Sequence, residues 1–305
     1  SVSEQGYLDS VTVYGTSTYS GTDNFCPLVM TNNGKMSNCV NKVKVTSAQG
    51  NLAGVCFTNN GKLHGCRNEA NLTTTGQVAG VCFENASGKR VMRCVVTGSK
   101  LRGSAVGGIV FNNAGKVLDC SAAFNDYDGN CPAGLVVYSN SGQIQNSLCS
   151  GHFNTNSSVG GICYQNTGNV LDCRNVMSEL AGVTRVGGVV CNMQNGVVRN
   201  CYTECPYLDN SGSSAIVIGG LVGFVASGTV ANSYVNGAIH PNSSDGSTFV
   251  GAVVGQVDGG TYKNSYSTIG RRFYGSVNAT ANPTYESCYQ FHADVQTGIS
   301  SLSVD

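Results

Sequence analysis

Apolar and polar positions along the chain follow one pattern that returns about every 27 residues. Clear copies span residues 106–120 and 159–173, and a fixed period of this length is typical of solenoid proteins. Each copy contains an aliphatic run, then a turn rich in Asn and Gly, then a short apolar segment ending at a Cys or Ser, which we call the anchor. The anchors are Cys39, Cys66, Cys94, Cys120, Ser147, Cys173, Cys201, Ser233, Ser265 and Cys288, and Asp9-Ser10 fits one more.

The aligned repeats separate inward-facing from outward-facing columns. The position three residues before the anchor is always apolar or aromatic, as at Val117 and Tyr262, whereas the next position varies from Leu171 to Arg199. This alternation predicts a β-strand with one face in a core. The anchor also faces the core, and its odd spacing requires a bend just before it, where Asn and Asp tolerate left-handed backbone angles. The bend residues of this type are Asn38, Asp119, Asn146, Asp172, Asn200, Asn232 and Asn264.

A second predicted strand begins twelve to fourteen residues before each anchor. Its first residue is small, and an unbroken aliphatic column follows. Glycine at this point indicates either a positive φ angle or a close approach of another backbone segment. The small column consists of Pro27, Gly54, Gly80, Gly108, Gly134, Gly161, Gly188, Gly220 and Ala252.

These columns predict an all-β, right-handed parallel β-helix of about ten coils. It forms one domain over residues 1–295, followed by a polar tail or linker at residues 296–305. Coils stacked about 4.8 Å apart would make a rod on the order of 48 Å long. The alternative is a leucine-rich repeat, whose period of roughly 20–29 residues overlaps with this one. We favour the β-helix because leucine does not dominate the inward columns and residues 121–132 show no helical pattern.

The fifteen cysteines behave as small apolar residues rather than as a disulfide framework. Their number is odd, and they alternate with Ser at the anchor and with Val in the upstream strand. Cysteines stacked in adjacent coils would have Cβ atoms about 4.8 Å apart, whereas disulfides need roughly 3.5–4.5 Å. We therefore expect buried, unpaired thiols.

Two segments resemble the GLUG repeat. They are residues 218–237, which read Ile-Gly-Gly-Leu-Val-Gly-Phe followed by Gly-Thr-Val-Ala-Asn-Ser-Tyr-Val-Asn-Gly, and residues 250–266. The resemblance implies a right-handed β-helix and an extracellular, stalk-like or adhesive role in bacterial surface proteins, including the non-catalytic part of IgA-cleaving metallopeptidases. Earlier copies depart from the repeat, since Phe or Tyr replaces the Gly after Leu-Val. The chain also begins inside a coil, which we interpret as the start of a piece cut from a longer solenoid.

Charge and hydropathy exclude several partner classes. Charged residues make up 11% of the chain and the formal net charge is zero, which indicates no basic footprint for nucleic acid or an anionic membrane. No apolar run reaches the length of a membrane span. We expect neither nucleic-acid binding nor membrane insertion.

No catalytic, cofactor-binding or metal-ligating residue is predicted, and no cofactor is expected. The four histidines are far apart, and Asp119 and Asp172 are interpreted as turn residues because a whole coil separates them. Asp126, Asp128 and Asn130 place oxygen ligands at alternate positions, as calcium loops do, but the later bidentate Glu is missing. An Asp-Gly turn is the favoured interpretation there, and calcium binding stays open.

The expected function is a non-enzymatic adhesin-like or spacer module, extracellular and associated with the cell surface. Its expected partner is a host glycan or an extracellular-matrix protein. The alternative is a carbohydrate-active β-helix enzyme, a polysaccharide lyase or glycosidase, which would need clustered ionisable groups. Free thiols fit poorly with an oxidising exterior, so an anaerobic source or an intracellular location would also explain them.

Two long inter-strand segments, residues 203–216 and 237–249, are the expected binding loops, because insertions in repeat proteins gather on one face. Aromatic residues beside cations, at Tyr207 and in the stretch Arg271, Arg272, Phe273 and Tyr274, could stack on sugars or on a protein.

Overall fold

The structure, a computed structural model, describes residues 1–210, 216–241, 249–291 and 296–301. Its described residues form only β secondary structure, and the paired strands run parallel in about ten stacked turns of about 27 residues. The predicted parallel β-helix is therefore confirmed. Each turn passes through four sheets in a fixed order, which we number 1 to 4.

Sheets 1 and 2 are joined by a sharp bend at the small column. Residues Ala105–Gly107 pair with Ala133–Gly134, and the next strand, Val110–Asn113, pairs with Val137–Asn140. Sheet 1 contains Leu52–Ala53, Gln77–Ala79, Ala105–Gly107, Ala133–Gly134, Val159–Gly160, Arg185–Gly187, Val217–Gly219 and Phe249–Gly251. Sheet 2 contains Val29–Asn32, Cys56–Asn59, Cys82–Asn85, Val110–Asn113, Val137–Asn140, Cys163–Asn166, Val190–Met193, Val222–Val225, Val254–Val257 and Tyr274–Val277.

Sheet 3 carries the short strands before the anchors, and sheet 4 carries the longer strands after them. Sheet 3 contains Tyr7–Asp9, Lys35–Ser37, Lys62–His64, Arg90–Met92, Lys116–Leu118, Gln143–Gln145, Asn169–Leu171, Val197–Arg199, Thr229–Ala231, Thr261–Lys263 and Thr284–Glu286. Sheet 4 contains Thr12–Ser17, Val40–Ala48, Arg67–Asn68, Leu72–Thr74, Val95–Thr97, Leu101–Arg102, Ser121–Gly129, Leu148–Thr155, Arg174–Gly182, Tyr202–Asn210, Tyr234–His240, Tyr266–Ser267, Cys288–Gln290 and Ile299–Ser301. Its last strand lies in the segment expected to be a tail.

The bend before each anchor has the predicted backbone conformation. All seven Asn and Asp residues at this position have φ between 46° and 55°, as do Arg93 and Ser287 at the same position. Neighbouring bends are also linked through side chains, since the Asn146 amide donates to Asp119 over 2.6 Å and the Asn200 amide donates to Asp172 over 2.9 Å. The bend column therefore forms a hydrogen-bonded row on the surface.

The glycines of the small column are required by close packing and not by positive φ. A Cβ atom at Gly108 would lie 1.7 Å from the carbonyl oxygen of Leu135, and one at Gly161 would lie 2.1 Å from that of Gly188. The assignment of Gly134 to this column is wrong: Gly107 pairs with Gly134, so Leu135 follows in the small column. A single Gly in that repeat allowed the alignment to slip by one residue.

The inward columns form one continuous core along the rod. The anchor cysteines are buried in it, and the thiol of Cys94 donates to the backbone oxygen of Met92 over 3.5 Å. All fifteen thiols are unpaired and buried, as expected from their exchange with Ser and Val. The column two residues before the anchor faces outward in most repeats, but Ser37 and Ala231 are buried there.

A row of buried asparagines closes the corner between sheets 2 and 3. From Asn32 to Asn140, each side-chain amide donates to the amide oxygen of the asparagine in the next coil, over 2.7–2.9 Å, and the Asn166 amide donates to the Gly168 backbone oxygen over 3.0 Å. These residues end the strands of sheet 2, and the sequence suggested only turns there. The row consists of Asn32, Asn59, Asn85, Asn113, Asn140 and Asn166, followed by apolar Met193 and Val225.

A second buried cluster lies outside the main core, at the bend between sheets 1 and 2. Phe57, Phe83 and Phe111 stack at centroid distances of 4.6 and 4.7 Å over a column of alanines. Tyr138 and Tyr164 continue the stack. In two later repeats the corresponding position is Gly, at Gly223 and Gly255. A Cβ at Gly223 would lie 2.8 Å from Cγ of Arg185, whose side chain takes the place of the ring.

Candidate binding surface

A column of basic side chains covers the outer face of sheet 3 in four consecutive coils. Lys35, Lys62, Arg90 and Lys116 are exposed and are aligned in register as partners on neighbouring parallel strands. We call these four residues the basic ladder. In the next coil the column changes to Gln143, which pairs with Lys116. In this column the positive charge is therefore confined to the first part of the rod.

The basic ladder forms no ion pair among the residues that the structure describes. The Lys35 ammonium lies 4.7 Å from the ring centroid of Tyr7, a cation–π contact, and the partly exposed side chains beside the ladder on sheet 3 include His64 and Met92. Because strands in a sheet lie about 4.8 Å apart, like charges on neighbouring strands repel one another. Salt screens this repulsion only beyond a Debye length of about 8 Å at physiological ionic strength. Within the described residues, ion pairs join Lys42 to Glu69 and Lys263 to Glu286, and Nδ1 of His152 lies 3.4 Å from the Glu179 carboxylate.

A surface cleft of about 620 Å³ runs beside the ladder along the corner between sheets 2 and 3. The Asn60 amide donates to the Asn33 side-chain oxygen over 3.1 Å in the lining of this cleft. Close packing of neighbouring coils requires glycine in this lining, since a Cβ at Gly61 would lie 2.0 Å from the Gly34 carbonyl oxygen. Its lining comprises three ladder residues, Lys89, and polar or glycine positions, with one carboxylate at Glu4.

The charges are distributed very unevenly along the rod. Residues 35–116 contain eleven of the seventeen Lys and Arg residues but only two of the seventeen Asp and Glu residues, Glu69 and Glu84. That segment has a formal excess of nine positive charges, and the rest of the chain has an equal negative excess. The premise that zero net charge leaves no basic surface is therefore wrong. A count of charges in each repeat would have revealed this basic surface, as would inspection of the column four residues before the anchor.

Four tyrosines form a second outer ladder at the opposite end, on sheet 4. Tyr202, Tyr234 and Tyr266 stack with centroids 5.1 and 5.6 Å apart, and Tyr289 is the register partner of Tyr266. The ring faces cover one another, the Tyr202 hydroxyl accepts from Arg174 over 3.4 Å, and the Tyr234 hydroxyl donates to Glu204 over 3.5 Å. This arrangement offers hydroxyl groups to a partner rather than open ring faces for stacking on sugars.

The predicted aromatic candidates do not form one site. Tyr207 is 53% exposed and stacks on His240 at 5.0 Å, whereas Phe273 is fully buried and belongs to the core. Phe273 is therefore not available to a ligand, because its position after the bend turns it inward. The Arg271 guanidinium donates to the backbone oxygen of Ile239. The expected binding loops at residues 203–216 and 237–249 lie partly outside the described residues, at positions 211–215 and 242–248.

The residues weighed for calcium binding lie at the end of one strand of sheet 4 and in the turn after it. Tyr127 points into the core, where its hydroxyl donates to the Leu101 backbone oxygen over 2.6 Å. Asn130 accepts a hydrogen bond from the Asn156 amide over 2.8 Å, and the Asp126 side chain lies outside the described part. Within the described residues no group of three or more His, Cys, Asp or Glu side chains is placed to hold a metal ion.

The buried thiols are protected from reaction with oxidants and other reagents in solution. Burial raises the pKa of Cys26, Cys191 and Cys205 from an ordinary value of 9.0 to about 12. The thiolate is the nucleophile and the form that oxidises readily, so these thiols are poorly reactive near neutral pH.

No protein-family model matches the chain, and no curated protein matches it significantly. The resemblance to GLUG repeats stays a prediction that rests on residues 218–237 and 250–266. Within the part of the chain that the structure describes, there is no helix long and apolar enough to cross a membrane.

Proposed function

We propose that this chain is a non-enzymatic, adhesin-like or spacer module of a bacterial cell-surface protein, displayed outside the cell. Its partner is a host glycan or an extracellular-matrix protein. The observation that carries this proposal is the repetitive outer surface of the rod. Side chains of one type recur from coil to coil in the basic ladder and the tyrosine ladder, so an extended partner would meet the same group at each step of about 4.8 Å.

The placement of the carboxylates favours binding over catalysis. A glycosidase needs two carboxyl groups that flank a sugar, with roughly 5–9.5 Å between them. Asp119 and Asp172 share one outer column, but Asn146 lies in the coil between them and donates to Asp119. Asp172 accepts hydrogen bonds from Gln145 and Asn200. Both carboxylates are thus engaged in the hydrogen-bonded row that holds the bends.

Buried thiols are compatible with display outside the cell. All fifteen cysteines are buried, and burial raises the pKa of thiols such as Cys191. Oxidation requires an accessible thiolate, so this chain keeps reduced cysteines where an exposed thiol would be oxidised.

A parallel assay of binding and cleavage tests the proposed function. The purified chain is applied to immobilised glycans and matrix proteins, and the same polysaccharides in solution are checked for new reducing ends and unsaturated products. We expect retention on at least one surface and no change in polysaccharide length. Depolymerisation of any polysaccharide would contradict the proposal in favour of the enzyme alternative.

A further inference from the structure

We propose that the basic ladder binds a linear anionic polysaccharide, a chain of uronate or sulfated sugars that lies along the axis of the rod. This inference rests on the proposed function as a binding module and names the ligand class and the site. It extends that proposal to one face of the first four complete coils, where Lys35, Lys62, Arg90 and Lys116 stand in register.

The geometry of the ladder suits a chain rather than a small anion. The four residues occupy consecutive parallel strands, so their backbone positions repeat about every 4.8 Å over a total of about 14 Å. A single phosphate or carboxylate would contact one or two of these cations. A polymer with an anionic group on each sugar can contact all four.

The charge of the ladder is available to a ligand. None of the four cations has a carboxylate partner within the described residues, and all four are exposed. The acidic residues nearest to them along the chain are Asp119, which accepts a hydrogen bond from Asn146, Glu84, which lies on sheet 2 in the coil of Arg90, and Glu69, which pairs with Lys42. Glu4 lines one end of the cleft. A polyanion would replace the repulsion between neighbouring cations by attraction.

The cleft beside the ladder suits the neutral part of such a polymer. Asn33 and Asn60 line it together with glycine backbone, and amide and peptide groups hydrogen-bond sugar hydroxyls. The polymer's anionic groups would lie over sheet 3 and its hydroxyl groups over the corner between sheets 2 and 3.

Nucleic acid fits this surface less well. Proteins that bind single strands without sequence preference offer aromatic side chains on which bases stack. Within the described coils, the rings at the ladder are that of Tyr7, over which the Lys35 ammonium lies, and the partly exposed imidazole of His64. Three of the four ladder cations are lysines, which act as point charges, whereas arginine provides the bidentate fork that favours phosphate.

The test compares Lys62→Gln/Arg90→Gln with the control Lys44→Gln/Lys100→Gln. Both double variants remove two exposed cations from the basic half, but Lys44 and Lys100 lie on the side of sheet 4, away from the cleft. Gln is tolerated in the ladder column, because Gln143 occupies it one coil after Lys116. Equal thermal unfolding of the variants confirms that both are folded.

Dissociation constants are measured for polygalacturonate, heparin, neutral dextran and duplex DNA across a range of NaCl concentrations. We expect at least tenfold weaker binding of one or both anionic polysaccharides by the ladder variant, and less than a twofold change in the control. The slope of log Kd against log salt should fall by roughly one for each cation removed. Dextran should not bind.

The outcomes separate this inference from the proposed function. Equal affinity of wild type and ladder variant for both polysaccharides overturns the inference, as does ladder-dependent binding of DNA that is tighter than that of either polysaccharide. Binding to a matrix protein that the ladder variant retains overturns the inference and leaves the proposed function standing. Ladder-dependent binding accompanied by cleavage of the polysaccharide supports the inference and overturns the proposed function.

Discussion

Single buried polar residues hold adjacent coils together in this rod. Asn113 illustrates the arrangement: its amide donates to Asn140 over 2.7 Å, and its side-chain oxygen accepts from Asn85 over 2.8 Å. Both bonds lie in the interior, where an unpaired polar group costs about 1–3 kcal/mol. A ladder of this kind also fixes the register of the coils, because sliding by one residue would unpair every amide at once.

Replacement of Asn113 by Ala should therefore destabilise the rod. We expect the free energy of unfolding to fall by about 2–4 kcal/mol, since two buried amides lose a partner. Asn112→Ala is the matched control, because Asn112 is exposed on the outer face of the same strand. Urea denaturation of both variants measures the difference. Equal stability of the two would mean that the buried row contributes nothing.

The small column gives a second prediction for single residues. Gly161→Val places a Cβ atom 2.1 Å from the Gly188 carbonyl oxygen and against Asn175, whose amide donates to that same oxygen over 2.8 Å. We expect a loss of about 3 kcal/mol or more. Gly270→Val is the control, because its nearest neighbour would be 3.9 Å away. A stable Gly161→Val protein, measured by thermal unfolding, would contradict the close-packing explanation.

The buried thiols predict a dependence of stability on alkaline pH. At pH values below about 9 the folded and unfolded chains both keep their thiol protons, so the thiols do not alter stability with pH. As the pH rises from 9 towards 12, the unfolded chain loses protons that Cys26, Cys191 and Cys205 retain in the fold. The free energy of unfolding should then fall with increasing pH.

Urea denaturation between pH 7 and pH 10.5 measures this loss of stability. The test variant is Cys56→Val/Cys163→Val, compared with the wild type. Valine is chosen because Val110 and Val190 occupy the same column in neighbouring coils. The neighbouring Cys82 thiol and then burial raise the pKa of Cys56, and burial raises the pKa of Cys163, so removal of the two thiols should reduce the fall in stability. A fall of the same size in wild type and variant would show that these two thiols do not contribute to it.

At the scale of elements, the outer aromatic cluster determines how sheets 1 and 2 meet. The rings of Phe57, Phe83 and Phe111 are almost parallel and cover the alanine column on the outer side of the bend. Each ring adds buried apolar area that the main core does not supply. The first coils therefore have two layers of packing at this corner, whereas two later coils have glycine at the same position, Gly223 and Gly255.

Phe83→Ala should create a cavity in the middle of this stack. We expect it to lower the free energy of unfolding by about 3–5 kcal/mol. The control is Phe291→Ala, because that ring is 39% exposed, and a change within about 0.5 kcal/mol is expected. If both substitutions have the same small effect in urea denaturation, the outer cluster is only a surface feature.

The sequence predicts the elements well because each inward column must be apolar in every coil. The anchor, the left-handed bend and the burial of the thiols follow from residue types that recur at fixed spacing. The buried asparagines could not be recognised in this way, since Asn is equally typical of turns and only the stacked register turns it into a ladder. The sequence shows the aromatic residues only as a departure from the GLUG pattern. Their packing as a cluster could not be predicted, because their alanine partners lie in another strand.

At the scale of the whole molecule, charge divides the rod into two parts. The summed charge of zero conceals a basic segment at residues 35–116 and an acidic remainder. The field near a surface depends on local charge and falls off over about 8 Å at physiological ionic strength, so a neutral total does not make either part neutral to a partner. The basic ladder is therefore the surface on which an anionic ligand would first be attracted.

The most direct test of a binding rod is the dependence of affinity on ligand length. Oligogalacturonates of increasing length are titrated by calorimetry, and the recovered sugars are analysed by mass spectrometry. We predict that affinity rises with each added uronate until the oligosaccharide spans Lys35 to Lys116 and then levels off, with every oligosaccharide recovered intact. An affinity that does not depend on length, or recovery of shortened oligosaccharides, would contradict the account.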